Sequence, residues 1–355
     1  MPGLLMAAKL DAPGKSTLWI LPLSSMHEQY KLRTSEQRVS CESWTTQLSA
    51  KNVPRHILVA VEQSQAPEFQ DYVLQLVVLG LLARIIVDEL HLILTHAPFR
   101  PVMDTIQWAG SHNVQIVGQT ATLPPSLEAS AFAKLGITNY VVCRSKTACP
   151  NISYNIIHAF DAQSKLKELV QVALDRSPTS SVIVFVRGKP ESISLATYLG
   201  GIACHSDLID GEVNEVLQQL RDGSTRIVVS TTILGVSLNV PSISDVIHFG
   251  YPWDYLSYTQ ESGRAGRIRE EKAWSTILIS SRSAKPKYPD PDPFGVRLMV
   301  DWIHQDSICR RIGLMTFNDG VAEPCAALDG GITHLCDVCQ ALSTQPPPRE
   351  EPDPC

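Results

Sequence analysis

Two arginines three positions apart, Arg264 and Arg267, are the side chains whose chemistry is clearest in this sequence. They lie in the segment 260–267, which reads QESGRAGR and begins with Gln260. A guanidinium group stays charged and can donate two parallel hydrogen bonds to phosphate oxygens, which in phosphoryl transfer is worth about 10³–10⁵ in rate. A solvated basic turn does not explain the glycine before each arginine. We therefore expect the glycines to let the backbone approach a polyanion that both arginines contact.

Two adjacent acids, Asp88 and Glu89, follow the apolar run RIIV at 84–87. Ligands of open α/β sheets lie at the carboxyl ends of strands. One acid there can hold Mg²⁺ through water while its neighbour polarises a water that attacks a γ-phosphate. The alternative is a buried strand that simply ends in two solvated acids.

Thr120 and Thr122 follow another apolar run, at 114–117. Two hydroxyls at a strand end can transmit the state of a bound nucleotide to a neighbouring site by hydrogen bonding. The alternative is an ordinary threonine-rich turn that leads into the helix after Pro125.

Four cysteines near the C-terminus could bind a metal: Cys309, Cys325, Cys336 and Cys339. A Cys-x-x-Cys pair with two further thiols suits tetrahedral Zn²⁺, and reduced, unliganded cysteines are the alternative. The whole chain has only 9 cysteines in 355 residues, which is too few for a secreted disulfide scaffold and favours a reducing compartment.

Short apolar runs alternate with helix-length amphipathic stretches, which predicts βαβ units and parallel sheets in an α/β fold. Several strands lack polar alternation, as expected where helices cover both faces of a sheet. The predicted strands are Thr17–Leu23, His56–Val61, Arg84–Asp88, Val114–Val117, Ser181–Val186, Arg226–Ser230, Asp245–His248 and Ser275–Ile279. The predicted helices are Glu68–Leu82, Pro101–Gly110, Lys165–Leu174, Glu191–Leu199 and Gly211–Arg221.

This series occurs twice, with a predicted linker at 149–151, and a polar, proline-rich stretch follows at 280–293. The expected organisation is a first α/β domain at 1–150, a second at 151–285, a small helical cysteine module at 286–342 and a disordered tail at 343–355. The formal charge of −6 excludes a globally basic nucleic-acid coat but allows a local basic groove. The longest apolar stretch is too short and too often interrupted to cross a bilayer, so no membrane partner is expected.

Taken in order, these motifs resemble those of superfamily 2 helicases of the RecQ type over residues 1–342. The resemblance rests on DELH at 88–91, TAT at 120–122, CHS at 204–206, the segment from Gly235 through Asn239 to Pro241, and QESGRAGR. Single motifs are loose, but five in this order are specific, and the last favours RecQ over DEAD-box RNA helicases. RecQ proteins also carry a four-cysteine zinc module at this place, although ten residues between Cys325 and Cys336 depart from its usual close grouping.

The resemblance implies two RecA-like lobes with ATP in a cleft and single-stranded or branched DNA across the top. It assigns Mg²⁺ and water activation to the acid pair, contacts with the nucleotide to Gly235, Asn239, Gln260 and both arginines, and coupling to His91 and the two threonines. The DNA contacts that it implies are Pro22, Leu23, Ser24, Phe99, Arg100, Thr231 and Thr232.

One required part of a helicase is missing from this pattern. A phosphate-cradling loop GxxxxGK[ST] must lie between a strand and a helix N-terminus. Gly14 and Lys15 are tempting, but the position five before Gly14 is Lys9, and a predicted strand, not a helix, follows them. We therefore interpret Lys15 as a residue of the loop before a strand and expect the chain to begin after the phosphate loop.

Three functions remain open at this point. The first is a RecQ-like, ATP-dependent 3′-to-5′ DNA helicase that acts in DNA repair or recombination. The second is a helicase-shaped, zinc-stabilised protein that holds DNA without turnover. An RNA-directed member of the same superfamily is a weaker third, and nuclear placement is expected only from the work that the family performs.

Overall fold

The computed structural model describes residues 14–22, 26–96, 100–232, 243–268, 270–328 and 333–344. The chain forms two compact units, an N-terminal unit of residues Met1–Arg144 and a C-terminal unit of residues Ser145–Cys355. Each unit is built on one parallel sheet, so the predicted α/β class with two parallel sheets is confirmed. None of the helices in the described ranges is long and apolar enough to cross a membrane.

The N-terminal unit alternates strands with helices around a five-stranded sheet of order β2-β3-β1-β4-β5. Its elements are β1 (Ser16–Leu21), α1 (Met26–Glu36), β2 (Cys41–Ser43), β3 (His56–Ala60), α2 (Pro67–Val78), β4 (Leu82–Val87), α3 (Leu92–Thr95), a 3₁₀ segment (Pro101–Ser111), β5 (Gln115–Gly118) and α4 (Pro125–Lys134). All residues of β1 and β3 are buried, which is the pattern of central strands with both faces covered.

The register of this sheet determines which loops meet. Ile20 of β1 pairs with Val87 of β4, and Val87 pairs with Gly118 of β5. Because the strands are parallel, the residues that follow Leu21, Val87 and Gly118 emerge at one edge of the sheet. Gly14 and Lys15, which directly precede β1, lie at the opposite edge.

The C-terminal unit has a six-stranded parallel sheet of order β6-β11-β10-β7-β9-β8. Its elements are β6 (Ile152–Ala159), α5 (Ala162–Arg176), β7 (Ser181–Phe185), α6 (Lys189–Leu199), β8 (Ile202–Cys204), α7 (Asp210–Asp222), β9 (Ile227–Ser230), β10 (Ile243–Phe249), α8 (Tyr255–Ser262), β11 (Ala273–Ser280), α9 (Val296–Ile303), α10 (Arg310–Asp319), a 3₁₀ turn (Cys325–Ala327) and α11 (Asp337–Ser343).

The two faces of this sheet bury separate cores, as the two-residue period of a strand requires. Ile183 and Phe185 of β7 join one core, while Val182 and Val184 join the other. Side chains of α9 and α10, such as Met299, lie in the first core with residues of the sheet. The residues predicted as a separate cysteine module therefore share a core with the second sheet.

All eight predicted strands are confirmed within a few residues, and β2, β6 and β8 are additional. The predicted helix Glu68–Leu82 is too long, because Gly80 adopts a left-handed φ of 64° that turns the chain into β4. The predicted helix Pro101–Gly110 is instead the 3₁₀ segment Pro101–Ser111. The expected linker at 149–151 leads directly into β6, and Asn151 in it is buried.

Candidate functional site

The strand-end acid Asp88 is tied into the interior of the N-terminal unit. The hydroxyl of Tyr30 donates a hydrogen bond to Oδ2 at 2.5 Å, and the backbone N–H of Glu89 donates to Oδ1 at 3.0 Å. Tyr30 is itself fully buried, with its ring 5.2 Å from that of Trp19 on β1. Burial raises the pKa of Asp88, and the hydrogen bond from Tyr30 opposes this rise. The carboxylate therefore has an internal partner on each oxygen.

The predicted coupling residues lie together beside this acid. Glu89 has a left-handed φ of 48°, an uncommon conformation for a residue other than glycine. Its Oε2 lies 3.4 Å from Nδ1 of His91, and this nitrogen lies 2.8 Å from Oγ1 of Thr120. The N–H of Thr122 donates to the same Oγ1 at 3.2 Å. We call these residues, together with Asp88, the acidic edge.

The approach of these loops requires the glycine at the end of β5. Leu90 donates its N–H to the carbonyl of Gln119 at 2.9 Å, and its side chain packs over Gly118. A Cβ atom at Gly118 would lie only 2.5 Å from Cδ2 of Leu90. The acidic edge is therefore assembled by close contact between the loops that follow β4 and β5.

Lys15 lies at the other edge of the same sheet. It directly precedes β1, as expected, and its Nζ donates to the carbonyl oxygen of Gly80. With six residues in β1 at about 3.3 Å each, the two edges are about 20 Å apart. Lys15 therefore does not fit the role of a lysine that binds the phosphates of a nucleotide at the acidic edge.

The acidic edge fits magnesium only in part. Mg²⁺ prefers oxygen ligands and usually keeps several waters. A water-bridged ion fits the second lone pair of Asp88 Oδ1 and the carboxylate of Glu89. Direct ligation by Asp88 Oδ2 does not fit, because the Tyr30 hydroxyl already lies 2.5 Å from it in a buried setting.

The predicted DNA contacts of the N-terminal unit are only partly described. Pro22 follows β1 and is buried, while Arg100 pairs with Glu62 through a hydrogen bond of 2.8 Å from Nε. Leu23, Ser24 and Phe99 lie outside the described residues. Their roles stay predictions.

The arginine segment, which we define as residues 260–267, begins in the last turn of α8 and continues beyond the end of this helix at Ser262. Gln260 and Arg264 are half-buried and Arg267 is exposed, so the arginine side chains reach the surface to different extents. Gly266 has a left-handed φ of 61°, and a Cβ there would lie 2.7 Å from Nδ2 of Asn151. Packing within the protein is therefore one reason for a glycine at this position, and approach to a polyanion stays a prediction.

Two buried contacts fix this segment. Nδ2 of Asn151 donates to the carbonyl oxygens of Gly266 and Glu271 at 2.8 and 2.9 Å. Nε2 of His248 on β10 lies 2.9 Å from Oε2 of Glu261, and both side chains are almost fully buried. The turn that carries the arginines is thus held from both sides.

Thr231 and Thr232 follow β9 at the carboxyl edge of the second sheet. Thr231 is half-buried, with its N–H bonded to the carbonyl of Cys204 at 3.0 Å, and Thr232 is exposed. Gly235 and Asn239, two further predicted nucleotide contacts, lie outside the described residues.

The four predicted metal ligands converge. The Sγ atoms of Cys309, Cys325, Cys336 and Cys339 all lie within 4.8 Å of one another, and we call them the cysteine cluster. Cys309 Sγ lies 3.5 Å from that of Cys325 and 3.8 Å from that of Cys336, too far for a disulfide. Four sulfurs at about 2.3 Å from a tetrahedral zinc ion are about 3.8 Å apart. The donor set and its spacing fit Zn²⁺.

Donors around the cluster favour thiolate sulfurs. The backbone N–H groups of Cys325, Arg310 and Cys336 point at sulfur atoms at 3.3, 3.4 and 3.4 Å. Nε of Arg311 lies 3.3 Å from Cys325 Sγ. Hydrogen bonds from the neighbouring Cys325 and Cys336 thiols lower the pKa of Cys309, whereas the hydrogen bond with Cys309 raises the pKa of Cys325 and burial raises that of Cys339, so one thiolate is favoured when no ion is bound. Such outer contacts orient ligands and tune a metal site.

Several of these residues were not singled out from the sequence. Tyr30, Asn151, His248, Glu261 and Arg311 act through buried hydrogen bonds to residues far away in the chain. The only sequence signal was a polar side chain inside or next to an apolar run, as for His248 in the strand 243–249. That signal identifies burial but not the partner.

Residues 164–269 match the family described as helicase conserved C-terminal domain. Among curated proteins, the ATP-dependent RNA helicase DeaD of Mycobacterium tuberculosis is 28% identical over 173 residues, or 47% of this chain and 30% of that protein. The RecQ-like DNA helicase blm-1 of Caenorhabditis elegans is 25% identical over 275 residues, or 71% of this chain and 28% of that protein. The chain thus spans under a third of either relative. These matches support a superfamily 2 helicase.

Solved structures of helicases have a similar fold. The chain is similar to helicase Lhr of Mycobacterium smegmatis, solved with ssDNA and AMP-PNP, at a TM-score of 0.59 and 17% identity over 85% of this chain and 44% of that chain. At this identity the likeness concerns the fold alone, and it supports two RecA-like lobes. The family match contains β7, β9, β10, α8 and the arginine segment.

Proposed function

We propose that this chain acts as a RecQ-type superfamily 2 DNA helicase that couples ATP hydrolysis to 3′-to-5′ strand unwinding in DNA repair or recombination. The observation that carries the proposal is the cysteine cluster, which converges directly after the second sheet and shares its core. The family match alone favours no RecQ assignment, because RNA helicases share it. Nuclear placement belongs to this proposal, since it follows from the work proposed.

The choice of DNA over RNA rests on the segment QESGRAGR, which resembles the RecQ string. The extent of the matches does not decide it, because the match to the RecQ-like DNA helicase covers 71% of this chain and the match to Putative ATP-dependent RNA helicase R290 of Acanthamoeba polyphaga mimivirus covers 94%.

In this proposal each cofactor has its own residues. Zn²⁺ would be held by the cysteine cluster, whose spacing fits a tetrahedral ion. The acidic edge would hold water-bridged Mg²⁺ through Asp88 and Glu89. Phosphates of ATP would be contacted by Gln260, Arg264 and Arg267, and DNA phosphates by Thr231 and Thr232 at a strand end.

The test is ATP hydrolysis by the purified chain, with and without single-stranded DNA. Hydrolysis should rise with DNA, rise less with RNA of the same length, and fall by about 10³ or more in Arg264→Ala. Arg221→Ala, in the last turn of α7, serves as an arginine control that should hydrolyse ATP normally. Equal stimulation by RNA would overturn the DNA assignment.

A second function is favoured by a specific observation at the acidic edge. The hydroxyl of Tyr30 occupies one oxygen of Asp88 in a buried setting. This feature suits a protein that holds DNA without hydrolysing ATP. DNA binding without stimulated hydrolysis above the Arg264→Ala level would establish this function and reject the helicase activity.

A further inference from the structure

One large aromatic side chain of the C-terminal unit is exposed beside the carboxyl edge of its sheet. Trp253 has 46% of its surface exposed and lies in the loop between β10 and α8. The strands β10, β7 and β9 are neighbours in the sheet, and their carboxyl ends open onto a shallow concavity. Its lining includes Arg187, Thr232, Tyr251 and Trp253. Exposed tryptophan at the edge where such sheets bind ligands has no role in the sites described above.

The indole is held in a fixed position by an arginine on one side. The guanidinium carbon of Arg187 lies 4.7 Å from the centre of the Trp253 ring. Nε and Nη2 of Arg187 donate to the carbonyl oxygens of Tyr251 and Pro252 at 2.8 and 2.6 Å. These bonds attach the cation to the same loop that carries the tryptophan. The ring is therefore ordered before any partner arrives.

The loop itself is anchored at both ends. Tyr251 is buried, and its hydroxyl lies 3.0 Å from Nε2 of His304. Asp254 accepts a hydrogen bond of 2.7 Å from the N–H of Ser257 and so caps α8. Trp253 thus lies between two anchored residues, Tyr251 and Asp254, and its ring is exposed although the loop around it is fixed by hydrogen bonds.

The shape of this region decides which partner fits. The concavity encloses a volume of only about 10 Å³, far below the roughly 300–1,000 Å³ of pockets that enclose small ligands. A single flat ring lying against the surface fits better than an enclosed molecule. Thr232 offers an exposed hydroxyl in the same concavity, next to Thr231. Planar bases linked by phosphates supply both groups that such a surface recognises.

We propose that Trp253, backed by Arg187, is a stacking platform for one base of a single-stranded nucleic acid, a contact that rests on the proposed DNA binding. Stacking needs only a flat π-face, so the platform accepts every base and contributes affinity without sequence preference. Thr232 lies where it can donate to a neighbouring phosphate oxygen. Trp253 would thus contact a base at the same sheet edge where Thr231 and Thr232 are proposed to contact only DNA phosphates.

The experiment measures binding of a fluorescent oligothymidine and of an abasic strand with the same backbone and length. Trp253→Ala should weaken binding of the oligothymidine about 5- to 100-fold and change binding of the abasic strand less than about twofold. Trp253→Phe should fall between the wild type and Trp253→Ala, because its ring still stacks. Thermal unfolding of each variant should match that of the wild type.

A matched control is available on the same unit. Tyr198 near the end of α6 is 41% exposed and has Nζ of Lys167 at 5.3 Å from its ring centre. It is also an exposed aromatic beside a cation, but it lies at the far end of a helix that begins at the carboxyl edge. Tyr198→Ala should bind both strands like the wild type.

The outcomes separate the platform from the function on which it rests. A wild type that binds neither strand rejects DNA binding itself. Normal binding of oligothymidine by Trp253→Ala rejects the platform and leaves DNA binding intact. Equal losses on both strands also overturn it, because the tryptophan would then act on the fold or the backbone. A loss confined to a fluorescent ATP analogue would assign the ring to adenine, and not to a nucleic-acid base.

Discussion

The acidic edge and the cysteine cluster are both groups of potential metal ligands, but their donors are satisfied in opposite ways. The four sulfurs of the cluster approach one another within 4.8 Å, with N–H groups aimed at them from outside. The donors of the acidic edge instead each face a protein partner, as Asp88 faces Tyr30 and His91 faces Thr120. The first arrangement has a centre that suits one ion, whereas the second holds itself together without one.

The difference shows that two groups of residues can both match helicase motifs in sequence and still differ in which partners their side chains bind in the folded protein. Both groups fit helicase motifs by residue type, yet buried polar groups must find partners in the folded chain. Where the partners are other potential ligands, a metal can join all of them. Where the partners are a tyrosine and a threonine, the group is stable as it is. Three variants test this contrast.

The largest effect is expected from loss of the metal at the cysteine cluster. Metal analysis should find one zinc per chain, and Cys336→Ser should lose it. Because Cys336 is fully buried and structural zinc contributes on the order of 10–16 kcal/mol in peptides, the C-terminal unit should unfold. The measurement is metal content together with circular dichroism and thermal unfolding.

The control for this variant is Cys143→Ser, at an exposed cysteine outside the cluster. It should keep the zinc and the unfolding temperature of the wild type. A folded Cys336→Ser protein without metal would contradict this comparison, because the cysteine cluster would then need no bound ion for folding, like the acidic edge.

The next effect concerns the arginine that joins the cluster to the sheet. Arg311 is 1% exposed and donates to the carbonyl oxygens of Cys149, Pro150, Ile152 and His334 at 2.5–3.0 Å. Lysine cannot replace a planar fork with five donors. Arg311→Lys should therefore lower the free energy of unfolding by about 3–5 kcal/mol, measured by urea denaturation of the zinc-loaded protein.

Arg297→Lys is the matched control, since Arg297 is an exposed residue of α9. It should change stability by less than about 0.5 kcal/mol. Should Arg311→Lys be equally mild, the cluster would not depend on its attachment to β6, and the sharing of one core would be incidental.

The sequence predicted the strands of both sheets because a buried parallel strand is a run of apolar residues whatever surrounds it. It also predicted the cysteine cluster, since four thiols in one region have few other uses. The contacts of Arg311 were not predictable, because carbonyl groups carry no sequence signal. The packing at Gly266 was not predictable either, because Asn151 and Ala273, which fill the space where a Cβ would lie, are distant from it or carry no signal in the sequence.

At the acidic edge, the position of Asp88 was predictable from the sequence but its hydrogen-bond partner was not. Its position after β4 followed from the apolar run, and its neighbours Thr120 and Thr122 followed from the next strand. Tyr30 lies 58 residues earlier on α1, in a helix that was not predicted. Whether a strand-end acid faces solvent, metal or a buried hydroxyl depends on such distant residues, and this determines its chemistry.

The smallest effect is expected from Tyr30→Phe, which removes the hydroxyl from Asp88 without changing the ring packed on Trp19. Loss of a hydrogen bond to a buried carboxylate costs about 1.5–3 kcal/mol. Because burial raises the pKa of Asp88, its ionised form is the costly one, and this cost disappears when the carboxyl is protonated. The loss of stability should therefore be full well above the raised pKa of Asp88 and diminish as the pH falls through it. Urea denaturation across this pH range measures it.

Tyr72→Phe is the matched control, because Tyr72 is also buried in the N-terminal unit and its hydroxyl has no hydrogen-bond partner among the described residues. Its removal should be neutral or slightly stabilising. The contrast sharpens when Mg²⁺ is added. If Tyr30 prevents direct ligation by Asp88 Oδ2, the ion should stabilise Tyr30→Phe more than the wild type, which can hold it only through water. Equal stabilisation of both proteins would mean that the tyrosine does not restrict magnesium at the acidic edge, and the two ligand groups would then differ only in the softness of their donors.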